Sequence, residues 1–199
     1  MHLHKHDVVT AAMAILDSYG LGDLTMRRLA RELDVSPGAL YWHFANKQQL
    51  LGAIADRILQ PACADTAAGD WRDRILEVGS ALRDALLSCT DGAELVSASF
   101  AAGQSEAMAR VLGRLAEATA DAGVEAADAD LAARTVVYYV LGFTADEQAR
   151  LQWDSSGVLP EPQSVLGSDP SRRFRFGLQL LVDGVAAHRG HAVTARARE

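Results

Sequence analysis

Two helix-start signals lie close together in residues 25–47, and this feature constrains the fold more than any other. Thr25 is the expected N-cap of a first helix, because its hydroxyl can accept a hydrogen bond from a free backbone amide. Apolar residues at helical spacing form one stripe on that helix: Met26, Leu29, Ala30 and Leu33. Ser36 and Pro37 then signal a second helix, since the first helical position needs no amide hydrogen and proline has none. Two helices joined by so short a turn predict a helix-turn-helix.

The second helix is predicted to turn aromatic side chains outward. At about 100° per residue, Leu40 and Phe44 share one face, while Trp42 points nearly opposite and is flanked by Tyr41 and His43. Exposed aromatic surface is uncommon in a folded protein, because apolar rings are better buried. We interpret this face as one that enters the major groove of DNA and contacts phosphates, sugars and thymine methyl groups. The alternative is that Trp42 packs against another part of the chain.

Basic residues flank this aromatic helix. Asn46 and Gln49 have the spacing of a capping box, so a further helix is expected to begin at Lys47. The charge of Lys47 beside free backbone amides is suited to binding a phosphate. Arg27 and Arg28 are expected to contact phosphates from the preceding helix, because at least one of them faces away from its apolar stripe. The segment as a whole therefore predicts a DNA-binding surface.

Residues 24–51, LTMRRLARELDVSPGALYWHFANKQQLL, resemble the DNA-binding domain of TetR-type transcriptional regulators. The order Leu-Tyr-x-His-Phe, followed by a helix start that contains lysine, is specific to this family. The resemblance extends thinly over most of the chain, around residues 85–93, 141–148 and 176–178. It implies an all-α fold with an N-terminal three-helix helix-turn-helix DNA-binding domain and a C-terminal helical ligand-binding and dimerisation domain.

The patterns and the resemblance together assign the candidate DNA-binding residues, which are Thr25, Arg27, Arg28, Gly38, Ala39, Tyr41, Trp42, His43 and Lys47. Residues 37–39, Pro-Gly-Ala, replace side chains that contact bases in the tetracycline-binding members of the family, so a different operator sequence is expected. Ala39 can still meet a thymine methyl group, and Arg27 a guanine.

The charge of the chain is unevenly distributed. The 199 residues carry a net charge of −7, yet residues 1–60 hold as many basic as acidic side chains. An acidic remainder would repel DNA, so only the neutral, locally basic N-terminal part is expected to approach it. With 49% hydrophobic residues the chain can form a substantial core.

Several other classes of protein are not indicated. Cys63 and Cys89 lack the spacing of a zinc site, and a chain of this length needs no disulfide framework. The polar N-terminus does not read as a signal peptide, and no apolar run approaches the ~20 residues of a membrane span. His2, His4 and His6 could bind a metal from an extended arm, but a frayed terminus is expected instead. We therefore expect a soluble, cytoplasmic protein with no metal site and no membrane partner.

Helical periodicity and helix-breaking residues predict seven further helices. Their expected ranges are 5–19, 47–60, 70–88, 93–100, 105–122, one from Asp128 or Asp130 to about 152, and 172–188. Tyr19 is expected to complete the buried stripe of the first of these. A linker is expected at 63–69, a long loop at 153–171 and a disordered tail at 196–199. The DNA-binding domain should span residues 1–60, with its connecting helix, and the ligand-binding and dimerisation domain residues 61–199.

Two of these helices carry more apolar surface than one contact requires. Residues 136–143 are apolar on every side, so this helix should have a core on one side and a second subunit on the other. The last helix carries two stripes, which are Phe174, Leu178, Leu181 and Val185, and Gly177, Leu180 and Gly184. Pairing both helices with their symmetry mates predicts a four-helix interface in a homodimer, as the family resemblance also implies.

The expected effector differs from that of the tetracycline-binding members of the family. Those proteins hold a magnesium ion, partly through a histidine that follows an Asp-Gly-Ala segment. Here Val96 follows Asp91-Gly92-Ala93 at that position, and valine cannot bind a cation, although Asp146 remains near the second metal contact. We expect a more apolar ligand and not a tetracycline–magnesium complex. The candidate ligand-binding residues are Leu82, Val96, Phe100, Phe143 and Asp146.

Catalysis finds little support in the sequence. There is no P-loop, no GxGxxG after a strand, no HExxH and no GxSxG. Asp146 and Glu147 are adjacent and point about 100° apart on a helix, so they are not a dyad that shares a proton. Either both are solvated or one of them lines a ligand cavity. No enzyme activity, catalytic residue or cofactor is predicted; the remote alternative is a helical enzyme that uses these acids and keeps the N-terminal part as an interaction module.

These inferences predict a ligand-responsive, DNA-binding transcriptional regulator, and specifically a repressor that a small molecule releases from a palindromic operator. The expected partners are double-stranded operator DNA, an unidentified small-molecule effector and a second copy of the chain. The alternative within the same fold is a transcriptional activator or a regulator that needs no ligand.

Overall fold

The computed structural model describes residues 3–64, 69–157 and 169–196, with side chains described up to residue 188. Within these ranges the chain forms α-helices and two short 3-10 segments, Leu21–Asp23 and Gln60–Cys63, and no β-strand. The helices are α1 (Lys5–Tyr19), α2 (Met26–Glu32), α3 (Pro37–Tyr41), α4 (Lys47–Leu59), α5 (Trp71–Leu87), α6 (Gly92–Ala101), α7 (Glu106–Asp121), α8 (Ala126–Ser155) and α9 (Pro170–Arg196). The predicted all-α fold is confirmed. We call α1 to α4 the head and α5 to α9 the body.

Side-chain caps begin the helices of the head where the sequence predicts them. The hydroxyls of Thr25 and Ser36 each accept a hydrogen bond from the amide three residues on, at 3.1 and 3.3 Å. Asn46 accepts one from the amide of Gln49 at 2.9 Å, and the Gln49 side chain bonds back to the amide that precedes Asn46. These local bonds satisfy backbone amides that a helix start leaves free, and they define the helix-turn-helix of α2 and α3.

The reading helix α3 is shorter than its sequence pattern predicts. It ends at Tyr41, and residues 42–44 continue as a turn in which the amide of Phe44 still donates to the carbonyl of Leu40 at 2.9 Å. This helix-like bond keeps Leu40 and Phe44 together on the buried side. Trp42 therefore projects from the opposite side although it lies just beyond the helix.

The long helices of the body exceed their predicted ends. α8 begins at Ala126, before Asp128, and continues to Ser155, while α9 runs from Pro170 to Arg196. The prediction of a loop over 153–171 is thus wrong at both ends, and its middle, residues 158–168, lies outside the described residues. The predicted tail is wrong at Arg196, which is helical, and residues 197–199 lie outside the described part. Packing of apolar faces stabilises helix ends that local propensity does not indicate.

Three smaller predictions from the sequence are also wrong in part, and two of them extend beyond the described residues. Cys63 belongs to a 3-10 segment and not to a linker, and residues 65–68 of that linker lie outside the described residues. The N-terminus is helical from Lys5, with His4 at its N-cap, so the expected fraying is absent there; His2 lies outside the described residues. Tyr19 is 58% exposed and not buried.

The head packs directly on the body through α4. Buried apolar side chains of both parts form one continuous cluster. Gly52 lies so close to the turn between α6 and α7 that an added Cβ would overlap the carbonyl oxygen of Gln104. Asp56 accepts hydrogen bonds from the hydroxyl of Ser105 at 2.7 Å and from the amide of Ala107 at 2.8 Å, at the start of α7. The division of the chain at residue 60 stays a prediction.

The body packs α8 against α5, α6, α7 and α9. Its centre buries Val136, Val137, Val140 and Leu141, whereas Tyr138 is 59% exposed. None of the helices in the described ranges is both long and apolar enough to cross a membrane.

Candidate DNA-binding surface

Trp42 is the most exposed large hydrophobic side chain among the described residues of the head. Its indole is 91% exposed, and the neighbouring Tyr41 is 51% exposed. Leu40 and Phe44, which are 0 and 4% exposed, anchor the same segment in the core, and the ammonium group of Lys5 lies 5.6 Å from the centre of the Phe44 ring. The alternative that Trp42 packs within its own subunit is therefore wrong. An exposed indole on an anchored segment can insert into a DNA groove without rearrangement of the head.

The two arginines of α2 have different surroundings. Arg28 pairs with Asp23 at 2.5 Å, and its guanidinium lies 3.7 Å from the centre of the Tyr19 ring. The guanidinium covers one face of the Tyr19 ring. The ring is not packed in the core, and it therefore stays more than half exposed. Arg27 is exposed and has no ion pair within the described part of the chain. Arg27 is thus the better placed of the two to reach a base, while contact of Arg28 with a phosphate would have to compete with Asp23.

The remaining candidates also lie at the surface of the head. Thr25 and Gly38 are exposed, whereas Ala39, His43 and Lys47 are partly buried. Lys47 is the first residue of α4, next to the cap formed by Asn46. Its charge adds to the positive end of the helix dipole, which favours an anion there. The structure thus gathers the nine candidate residues on α2, α3, the turn after α3 and the start of α4, and their contact with DNA stays a prediction.

The five candidate ligand-binding residues do not surround one open cavity. Leu82 and Val96 are fully buried in the core, and Asp146 lies at the surface, where it pairs with Arg150 at 2.7 Å. Phe100, alone of the five, lines a cleft of about 820 Å³ between α6 and α8. The five residues therefore lie on three neighbouring helices, α5, α6 and α8, but in different environments.

Phe143 belongs to an aromatic cluster between α8 and α9. Its ring centre lies 5.8 Å from that of Tyr139 and 5.4 Å from that of Phe174. The hydroxyl of Tyr139 donates to the carbonyl of Phe174 at 2.8 Å, and burial raises the pKa of Tyr139 above its usual value. The guanidinium of Arg83 lies 5.1 Å from the centre of the Phe174 ring and joins this cluster to a buried ion pair.

Glu147 is the partner in that ion pair, which the sequence does not predict. Its carboxylate accepts from Nε and Nη2 of Arg83 at 2.8 and 2.5 Å, and both side chains are buried. The alternative in which both Asp146 and Glu147 are solvated is thus wrong for Glu147, because the two side chains leave α8 on different faces, and neither of them lines the cleft between α6 and α8. Glu147 binds α5 to α8, whereas Asp146 faces solvent. Within the described residues no group of three or more His, Cys, Asp or Glu side chains could hold a metal ion.

The head presents aromatic rings and cations on a helix-turn-helix, and a helical body carries the head. This arrangement is that of a DNA-binding protein. The family "Bacterial regulatory proteins, tetR family" matches residues 8–54, and "Tetracyclin repressor-like, C-terminal domain" matches residues 63–163. The chain therefore belongs to the TetR family. It is a DNA-binding transcriptional regulator, as the sequence predicts.

Relatives of known name match almost the whole chain. It is 34% identical to "Tetracycline repressor protein class A from transposon 1721" of Escherichia coli, over 94% of this chain and 92% of that protein. BioQ of Mycobacterium smegmatis is 66% identical, with a TM-score of 0.88 over 94% of this chain and 99% of BioQ. A structure of BioQ with its natural double-stranded DNA operator is 63% identical, with a TM-score of 0.83 over 94% of this chain and 100% of that chain.

Proposed function

We propose that the protein is a homodimeric, cytoplasmic repressor that binds a palindromic operator through α3 and leaves it when a small molecule binds the body. The exposure of Trp42, 91% on a segment whose other face is anchored, is the observation that carries the proposal. Two such segments in a dimer would enter successive major grooves on one side of the duplex, roughly 34–36 Å apart. The similarity to BioQ, which has been solved with its operator, supports this mode of binding.

The outer faces of α8 and α9 support the proposed dimer. Large apolar side chains there are more than half exposed, and they are Leu131, Tyr138, Phe176 and Leu180. A cleft of about 380 Å³ between the two helices is lined by Leu131, Leu180 and Gly184 among others. Apolar surface of this kind on paired helices is suited to a four-helix interface with a symmetry mate.

The proposed effector is apolar and carries at least one hydrogen-bonding group. Val96 provides no metal ligand, and the cleft between α6 and α8 is lined by the apolar Phe100, Leu141 and Ala145 together with the charged Glu94 and Arg134. Ser99 on α6 and Thr144 on α8 have buried hydroxyls with no hydrogen-bond partner among the described residues. Buried hydroxyls of this kind are normally satisfied. Neither of them lines the cleft, so a ligand would reach them by opening the packing between α6 and α8.

A thermal-shift screen tests this view of the effector. Apolar compounds with one polar group should raise the melting temperature, because a ligand at 100 times its Kd adds about 2.7 kcal/mol to the stability of the state that it binds. The same compounds should release the protein from its operator, because an effector must prefer the DNA-free state. Stabilisation by tetracycline–magnesium, with no response to apolar compounds, would contradict the proposal.

Footprinting on the DNA upstream of the protein's own gene tests the repressor itself. We expect two protected half-sites related by a two-fold axis, centred about one helical turn apart or a multiple of it. Transcription from the same DNA should fall when the protein is added and recover with the effector. A rise in transcription would favour the activator, and protection without symmetry would contradict the dimer. The remote enzyme alternative would require a turnover that survives deletion of residues 1–60.

A further inference from the structure

The turn between α5 and α6, residues 88–91, forms a second joint between head and body. Asp17 on α1 accepts hydrogen bonds from the amide of Thr90 and from the thiol of Cys89, both at 3.2 Å. The hydroxyl of Thr90 donates in return to the carbonyl of Asp17 at 3.4 Å. Burial, together with the nearby Asp17, raises the pKa of the Cys89 thiol to about 12, so the thiol keeps the proton that it donates. This joint holds the end of α1 to the body.

Asp91 connects three parts of the molecule through one carboxylate. Its Oδ2 accepts from the amide of Leu21 at 2.8 Å, in the 3-10 segment that leads into α2. Its Oδ1 accepts from Nε2 of Gln152 on α8 at 2.7 Å. Gln148, one turn earlier on α8, holds the same turn by donating to the carbonyl of Cys89 at 2.8 Å. A continuous set of hydrogen bonds therefore runs from α8 to the 3-10 segment that precedes the helix-turn-helix.

Asp91 has an unfavourable backbone conformation, and its side chain does not make the bond that is usual at its position. Asp91 occupies the N-cap of α6, where aspartate normally bonds the first amides of the helix, yet its side chain makes no such bond. Its φ of 53° lies in the left-handed region that disfavours residues with a Cβ. A Cβ on Gly20 would lie only 2.8 Å from Asp91 Oδ2, so the head approaches this carboxylate closely. Local costs of this kind are found where a residue has a function elsewhere.

We propose that Asp91 is a positioning residue that sets the orientation of the DNA-reading head on the body. The joint at Asp56 fixes α4, and the link from Asp91 to Leu21 fixes the segment before α2. Each attachment prevents the head from rotating about the other. Two heads held in this way fit only half-sites at one separation. Without the Asp91 link the head is held by the joints at Asp17 on α1 and Asp56 on α4, so the segment before α2 loses its restraint and the reading helix can fit operators of other spacing. The inference rests on the proposed binding of a dimer to a palindromic operator.

The test compares Asp91→Gly with Asp34→Gly. Both residues have a left-handed backbone, with φ of 53° and 52°, and both substitutions remove one acidic side chain from it. Asp34 lies in the turn between α2 and α3 and is a control for the release of backbone strain and for the change in charge. Because this turn belongs to the DNA-binding segment, its substitution should change affinity equally on all duplexes and leave the spacing preference unchanged. Glycine is well suited to this backbone, so the strain released in Asp91→Gly should offset the hydrogen bonds to Leu21 and Gln152 that it loses, and neither variant should have a much lower melting temperature. Of the two variants, Asp91→Gly alone removes a link between head and body, the bond to Leu21, and it leaves the joints at Asp17 and Asp56 in place.

The first measurement is the preference for operator spacing. The probe is the palindromic duplex that the wild-type protein selects from random-sequence DNA, together with versions that have one base pair added or removed at the centre. Asp91→Gly should reduce the preference for the selected spacing by roughly fivefold or more, the lower end of typical couplings between sites. Asp34→Gly should keep the wild-type preference. Equal weakening on all three duplexes, with a lower melting temperature, would assign Asp91 a purely structural role and overturn the proposal.

The second measurement is amide hydrogen exchange in the free protein, which needs no DNA. Peptides that contain Leu21 should exchange faster in Asp91→Gly than in wild type, and peptides from α7 should not change, because the lost bond protects the segment before α2. Unchanged exchange at Leu21 would overturn the proposal even if DNA binding changed. If the wild-type protein selects no palindromic duplex, the proposed function fails, and the exchange result still decides whether Asp91 holds the head.

Discussion

Replacing Trp42 by alanine should lower the affinity for the operator by about ten- to a hundredfold, since a buried aromatic anchor in an interface contributes on the order of 1–3 kcal/mol. The melting temperature should not change, because the indole is 91% exposed and supports no core contact. The dimer should stay intact on a sizing column. A gel shift with the selected duplex measures the loss.

Trp153→Ala is the matched control for this prediction. Trp153 is also an exposed tryptophan, at 55%, but it lies on α8 in the body. It should retain operator binding, so that a loss seen with Trp42→Ala cannot be attributed to removal of any surface indole.

Lys47→Ala should weaken binding to all sequences alike and reduce the salt dependence by about one phosphate contact. Operator retention by both head variants would show that another face of the head binds DNA.

Glu147→Ala should destabilise the protein by about 3–5 kcal/mol, because it removes the buried carboxylate that pairs with Arg83, and the exposed Asp84, 3.8 Å from the guanidinium, is a poor substitute. For a chain of this size that corresponds to a fall in melting temperature of roughly 10 °C. Arg83 is 7% exposed and Glu147 is 6% exposed, so water cannot replace the lost carboxylate without opening the contact between α5 and α8. Thermal unfolding followed by circular dichroism measures the change.

Asp146→Ala is the neighbouring control. Asp146 and Arg150 form an exposed pair one turn apart on α8, and water replaces such a contact at little cost, so the melting temperature should not change measurably. The double substitution Arg83→Met with Glu147→Leu should recover most of the stability lost in Glu147→Ala, since a buried pair can be replaced by apolar side chains of similar volume. Equal effects of the two acidic substitutions would contradict the assignment of Glu147 to the interior.

The features that the sequence predicts correctly depend on residues close together in the chain. The caps at Thr25, Ser36 and Asn46 and the outward direction of Trp42 follow from hydrogen bonds and helical spacing within a few residues. The family resemblance rests on the same local segment. For this reason the helix-turn-helix and the all-α fold could be predicted without coordinates.

The features that the sequence does not predict depend on contacts between distant residues. Asp146 and Glu147 look alike in the sequence, and only the position of Arg83, 64 residues before Glu147, decides which of them is buried. Asp91 reads as a helix breaker, and its bond to Leu21 spans 70 residues. Val96 and Asp146 are ligand candidates through the family resemblance, which does not show how side chains pack, and in the structure Leu82 and Val96 are fully buried.

The recognition segment is held in place by very few side chains. Leu40 and Phe44 contribute its buried contacts, whereas Gly38, Tyr41 and Trp42 are exposed. Substitutions at the exposed positions therefore cost little in folding, so descendants of one ancestral protein could acquire new target sequences by changing a handful of codons while the rest of the molecule is inherited unaltered.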